Sequence, residues 1–149
     1  VTEYVEPGDL SMEYRGLAYI GDRPFLGPDA PRATRAGLAV WALAPDRYWP
    51  YHEYVMANQP PEAQQWATAD RLVAFARAAG VPDPERIRGR LDSDELDRAV
   101  RETTEAADQQ RVDGTPTLVV DGRAVNPFGN ADLDPNPMMY DLLDQLAGR

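Results

Sequence analysis

The chain contains no cysteine and no lysine, and His52 is its single histidine. Without cysteine, these residues acting alone cannot form structural disulfides, thiolate metal sites, iron–sulfur clusters or any cysteine nucleophile. Without lysine, Schiff-base chemistry and a lysine-bearing phosphate loop are excluded as well. A zinc site or a Ser/His/Asp triad would have to be built around His52 alone, so no metal and no cofactor are expected. No apolar run reaches the roughly 18 residues of a membrane span. The opening VTEYVEPGDL has neither a basic segment nor an apolar signal core, so no membrane segment and no targeting signal are expected in these residues. Positive charge is scarce too: 15 arginines face 25 acidic residues, for a net charge of −10. The arginines are not gathered into a face suited to phosphates, and nucleic acid is not an expected partner.

What the 149 residues do contain is 43% hydrophobic side chains, enough for one domain, or one domain with a subdomain. A chain of this size buries roughly 70% of the surface its unfolded form exposes, so a core without disulfides or metal is within reach.

The first eight residues place Val1 and Tyr4/Val5 at helical spacing and then Pro7-Gly8, which punctuates the end of a helix. They read as a last helical turn, with an expectation that residues upstream were removed, cleaved or left out. Residues 9–15 alternate, Leu10, Met12 and Tyr14 against Ser11, Glu13 and Arg15, the period of a half-buried strand. After a loop with Pro24 and Gly27-Pro28, Asp29 offers an N-cap with Pro31 in the first turn of an alanine-rich helix over 33–43, which Pro45 stops. An aromatic helix over 48–56 is entered through Pro50. Thr68, Leu72, Phe75, Ala76 and Ala79 lead to a glycine cap at Gly80, and a short helix opens at Pro84. Asp92-Ser93-Asp94-Glu95 caps the longest helix, which Leu96, Val100, Thr103/Thr104 and Ala107 carry to about Gln110. Two short β-runs, 117–120 and 123–125, flank Asp121-Gly122, a strong hairpin signal. An amphipathic helix over 137–146 closes the chain. Strands at both ends with helices between them indicate α/β, with the helical block inserted.

The chemistry concentrates at Gly114-Thr115-Pro116-Thr117. A proline opening a strand cannot donate to the ladder, and X–Pro is the bond type that adopts cis at modest cost. Two readings stand here, a plain strand start or a built cis turn. A cis turn would leave Thr115 with its backbone groups outward, able to pair with an extended peptide.

The stretch Val112-Asp-Gly-Thr-Pro-Thr-Leu-Val-Val-Asp-Gly122 resembles the cis-proline strand and hairpin of thioredoxin-fold proteins. Tyr14-Arg15-Gly-Leu-Ala18 is similar to the Y-R-D-F-P that ends the second strand of DsbA-like thiol-disulfide oxidoreductases. Residues 39–56, with Tyr48-Trp49-Pro-Tyr51-His52-Glu53, are similar to that family's alanine-rich helix leading into F-W-x-x-H-x-x-L. The resemblance implies a single, truncated α/β thioredoxin-like domain over 1–149, with 1–28 and 111–149 as core parts and 29–110 as a helical insert. It also implies thiol-disulfide exchange that forms, reduces or isomerises disulfides in protein or peptide substrates. The family's first strand and C-x-x-C helix have no counterpart here, so no catalytic residue is carried over and enzyme activity of the chain alone is not expected. Thr115 and Pro116 match the family's substrate-aligning loop and are the site residues that carry over.

The resemblance further implies an extracytoplasmic location, whether periplasmic, secreted or membrane-anchored. It also leaves a gap between residues 9–15 and 117–120, which are expected not to pair with each other. A second chain, a swapped copy or a separate N-terminal peptide would fill that gap.

Other candidates have simpler readings. His52 is expected to be a packed helix histidine. Tyr48, Trp49, Tyr51, Tyr54 and Trp66 read as the seam between insert and core, or as a substrate groove. Asp92, Asp94 and Glu95 lack EF-hand spacing and read as caps, as do Asp132 and Asp134. Two alternatives to the oxidoreductase remain: a redox-inactive thioredoxin-like module that binds peptides or partners, and a glutathione-dependent relative such as a kappa-class transferase or chromene-carboxylate isomerase.

Overall fold

A computed structural model describes residues 3–20, 23–24, 27, 29–61, 64–112, 114–125 and 135–149. Pro28, Asp113, Asp132 and Asp134, read above as parts of turns, caps and the hairpin motif, lie outside the described residues, as does Val1. The chain divides into two units, residues 16–108 and residues 1–15 with 109–149.

The 16–108 unit begins with a small hairpin, β1 (Tyr19–Ile20) and β2 (Arg23–Pro24), paired Tyr19 to Pro24 and Ile20 to Arg23. Five helices follow: α1 (Ala30–Leu43), α2 (Tyr48–Asn58), α3 (Ala69–Ala78), α4 (Glu85–Arg88) and α5 (Asp94–Gln109). Helix α1 buries Ala36, Ala39 and Val40, a stripe at i, i+3 and i+4 whose small side chains let neighbouring helices approach closely. Pro45 then opens a 3-10 turn, Pro45–Arg47, that leads straight into α2. Pro50 sits in the first turn of α2, where its missing N–H costs no helical hydrogen bond. In α3 the hydroxyl of Thr68 accepts from the Arg71 N–H at 3.3 Å. The helix ends on Gly80 at φ +75, which lets the Val81 N–H reach back to the Ala76 carbonyl at 2.9 Å. At the start of α5 the cap is Ser93, whose hydroxyl accepts from the Leu96 N–H at 3.4 Å, while Asp94, Glu95 and Asp97 lie in the first turn, where the helix dipole favours them.

The core of this unit gathers Val40, Tyr51, Trp66, Leu72, Val73, Ile87 and Leu91, from α1 to α4 and the loops between them. Helix α5 adds Leu96 and Val100. Tyr51 is 2% exposed, and among the described residues its hydroxyl meets no hydrogen-bond partner. Burial pushes its pKa above the ordinary tyrosine value. An unpaired buried hydroxyl costs about 1–3 kcal/mol, so Tyr51→Phe is expected to hold or raise stability by about 1 kcal/mol in urea unfolding. A loss of that size instead would show that the hydroxyl has a partner.

The structure corrects two sequence expectations in this region. Asp29 does not cap α1 with its side chain. Its carboxylate instead accepts from the backbone N–H groups of Trp66 at 2.6 Å and Ala67 at 3.2 Å, tying the loop before α3 to the start of α1. And the stretch read as plain loop contains β1 and β2, each too short to show a period.

In the other unit, residues 3–8 form turns that end on Gly8 at φ +89, closed by Gly8 N–H to the Val5 carbonyl and Leu10 N–H to the Tyr4 carbonyl. Residues 9–15, expected as a strand, form none. Met12 is 47% and Tyr14 43% exposed, and the intervening residues are exposed as well. Alternation yields a strand only where a neighbouring strand supplies the ladder hydrogen bonds, and among the described residues none pairs with 9–15; no ladder joins it to 117–120.

Two strands, β3 (Leu118–Val120) and β4 (Arg123–Val125), form an antiparallel hairpin, and α6 (Pro135–Ala147) ends the chain. Helix α6 is tied to the first turn by side chains. The Tyr4 hydroxyl donates to Asp144 Oδ1 at 2.9 Å, and the Arg149 guanidinium lies 5.0 Å from the Tyr4 ring centre and pairs with Asp9. Burial first, then the hydrogen bond to Asp144, lift the Tyr4 hydroxyl to about 12. A pKa raised above its unfolded value near 10 gives stability that is complete below pH 10 and lost as pH rises towards 12. Ultraviolet titration is therefore expected to show Tyr4 ionising with loss of structure. Ionisation of Tyr4 near 10 with the structure intact would remove this role.

Candidate substrate-binding loop

Helix α5 leaves through Arg111 at φ +57, a left-handed exit that turns the chain toward Gly114. The Thr115–Pro116 peptide bond is cis. Thr115 and Pro116 are both exposed, whereas Thr117 is half-buried. The Thr117 hydroxyl donates to the Gly114 carbonyl at 2.7 Å, bracing the loop from the strand side. Sequence reading assigned Thr117 no role, though a hydroxyl next to a proline turn is a recognisable signal for such a brace.

The β3–β4 hairpin fixes the direction in which this loop presents its backbone. Asp121 at φ 50 and Gly122 at φ 76 are both in the left-handed region, as a two-residue type I′ turn requires. The register pairs Val120 with Arg123, Val119 with Ala124 and Leu118 with Val125. In such a hairpin the residues closing the turn form a hydrogen-bonded pair, so Val120 and Leu118 face β4 with their backbone groups. Val119, and Thr117 before it, direct theirs to the opposite edge. Among the described residues that edge carries no further strand. A sheet edge of this kind holds extended peptide by main-chain hydrogen bonds.

The other sequence candidates lie in the 16–108 unit. His52 packs on α2, its ring nearly parallel to Tyr48 with centres 6.0 Å apart and edge-on to Trp49 at 5.7 Å. Burial draws its pKa below the ordinary histidine value, with Glu53 pulling the other way. The aromatic group does not act as one set. Tyr51 and Trp66 belong to the helical core, and Tyr54 packs edge-on against Phe75 of α3 at 5.4 Å. Tyr48 and Trp49 instead join Trp41, which is 55% exposed, at the surface of α1 and α2. Of the acidic cap residues, Glu95 pairs with Arg90 at 3.2 Å and Asp92 approaches Arg32 at 3.8 Å. Among the described residues, no helix is long and apolar enough to cross a membrane.

Comparison with known proteins bears on the loop, the hairpin and the helical unit together. Residues 10–136 match the sequence model of the DSBA-like thioredoxin domain. The chain belongs to that family. It is similar to the probable disulfide bond formation protein D of Bacillus cereus, 26% identical over 127 residues that make up 84% of this chain and 56% of that protein. It is also similar to disulfide bond formation protein D of Bacillus subtilis, 24% identical over 130 residues, or 87% of this chain and 56% of the relative. The chain thus spans about half the length of these curated relatives.

Among solved structures, oxidised BdbD from Bacillus subtilis superposes with a TM-score of 0.69 at 23% identity, covering 84% of this chain and 65% of that one. A cysteine-to-serine DsbA from Proteus mirabilis, solved with a non-covalently bound peptide, gives 0.56 at 22% identity over 84% of this chain and 67% of that one. The fold is therefore thioredoxin-like and DsbA-type, in an incomplete form rich in helix. A DsbA-like chain without cysteine lacks the sulfur that thiol-disulfide exchange requires, and is not redox-active by itself.

Proposed function

We propose that this chain is the substrate-aligning part of a protein thiol-disulfide oxidoreductase, working with a dithiol supplied by residues outside it. The observation that carries this reading is the family match over residues 10–136 in a chain with no cysteine. Thr115 and Pro116 are the substrate-binding residues in this reading. Their exposure and the Thr117 brace favour an extended polypeptide as the ligand, met by the backbone of the loop itself. The peptide-bound DsbA structure supports the same ligand class.

Residues 1–28 and 111–149 would form the thioredoxin core and 29–110 the insert. The open edge would be completed by a strand from outside this chain, from a second chain or from a swapped copy. A role in making or breaking protein disulfides favours a location outside the cytoplasm, where disulfides persist.

Peptide titration of the isotope-labelled protein tests the loop. A cysteine-containing extended peptide is expected to shift the amide signals of Thr115 and Thr117 most. Saturable binding with those two amides unmoved would refute the assignment. The lack of cysteine also favours a second reading, a redox-inactive module that binds peptide through the same loop. Peptide binding by the full-length protein with no thiol exchange at all would select it.

A further inference from the structure

Thr115 and Pro116 are the exposed residues of the loop, and proline has no N–H, so the donor presented to a ligand there is the Thr115 N–H. Among the described residues that N–H has no acceptor. Its direction is set from the other side of its own peptide plane. The Gly114–Thr115 bond is trans and planar, so the Gly114 carbonyl and the Thr115 N–H point in opposite directions from one rigid unit. The Thr117 hydroxyl holds that carbonyl at 2.7 Å. Thr117 is half-buried and immediately precedes β3, so the carbonyl is drawn toward the strand and the N–H is turned away from it. Gly114 itself holds the plane weakly. Its φ is not positive, and a side chain at its position would meet no described atom within 4 Å, so neither a left-handed turn nor close packing fixes it. A residue without a Cβ resists rotation of its peptide plane least.

We infer that Thr117 is the positioning residue of the substrate loop: its hydroxyl fixes the Gly114–Thr115 peptide plane and so aims the Thr115 N–H at the main chain of an extended peptide. The inference deepens the proposed function and rests on it for the ligand. A hydrogen bond weakens steeply as its angle closes toward about 120°, so a tilted plane loses the bond without any change in the fold. Pro116 has no donor with which to replace it. Valine at 117 would keep the branched shape and lose the hydroxyl, whereas serine would keep the hydroxyl and lose the methyl group, so the two variants separate bonding from packing.

The test uses the isotope-labelled full-length protein and a short extended peptide with serine where a substrate would carry cysteine, so that binding is read without exchange. Thr117→Val is expected to weaken binding about fivefold, the order of one net hydrogen bond, and Thr117→Ser to stay within about twofold of wild type. In the ligand-free protein the residual dipolar coupling of the Thr115 N–H reads the direction of that bond. It is expected to agree between wild type and Thr117→Ser and to change in Thr117→Val, while the couplings of Val119 and Val120 in the hairpin stay as they are. Thr117→Val binding within about twofold of wild type, an unchanged Thr115 coupling in Thr117→Val, or Thr117→Ser as weak as Thr117→Val would each overturn the positioning role. Hairpin couplings that move together with that of Thr115 would do so as well, because the hydroxyl would then be holding the fold and not one peptide plane. A wild type that binds no peptide would instead defeat the proposed function, and the ligand-free Thr115 coupling would still decide whether Thr117 sets the plane.

Discussion

Replacing Asp29 by alanine is expected to destabilise the helical unit by about 3–5 kcal/mol, because one carboxylate satisfies two backbone donors of a buried loop. Trp66 is 7% and Ala67 2% exposed, and both N–H groups are part-buried, so water replaces the lost acceptor poorly. The bonds measure 2.6 and 3.2 Å and join positions 37 and 38 residues apart. Each is a charge-assisted hydrogen bond, with a net value of about 1.5–3 kcal/mol, and each leaves an unpaired buried donor when lost. Asp29→Asn keeps one carbonyl oxygen and should cost about half as much. Urea unfolding followed by tryptophan fluorescence reads the difference, since Trp66 reports on this loop directly. A cost below about 0.5 kcal/mol for Asp29→Ala would mean that the loop is held by its apolar packing alone.

Leu72→Ala is expected to cost about 3–5 kcal/mol, the upper part of the range for a buried leucine. Leu72 is fully buried in α3. The cost of such a truncation depends on how far neighbours can move into the space. The buried cluster that Leu72 belongs to includes Ala36, Ala39 and Ala76, which have no side-chain reach with which to fill a gap. A core with this many alanines is expected to leave much of the cavity open. Val119→Ala, at a position 44% exposed on β3, is the matched comparison and should cost less than about 0.5 kcal/mol. Equal losses for the two would contradict the location of the core.

The helices were legible because their signals are local. Thr68 and Gly80 bound α3 where a cap and a left-handed glycine are needed, and Asp121-Gly122 specifies a type I′ hairpin by the conformations those two residues tolerate. The cap of α5 was legible only as a group, since any of Asp92, Ser93 or Asp94 fits the pattern and the geometry selects Ser93.

What failed depended on distant partners. Residues 9–15 alternate as a strand should, but pairing needs a second strand, and alternation says nothing about whether one is present. Asp29 looked like a helix cap because its local neighbours permit that role; its actual partners lie in a loop that sequence spacing does not connect to it. Thr115 and Pro116 could be singled out from the motif, whereas the Thr117 hydroxyl bond across the loop needed coordinates.

The proposed function puts the sulfur chemistry in residues outside this chain. The direct measurement is to read the coding sequence upstream of Val1. A β-strand pattern followed by C-x-x-C at the start of a helix is the predicted result, and it would join Thr115 and Pro116 to a dithiol in one protein. A start codon or signal peptide running directly into Val1 would contradict it, leaving a cysteine-free member of the family whose loop binds peptide without exchange.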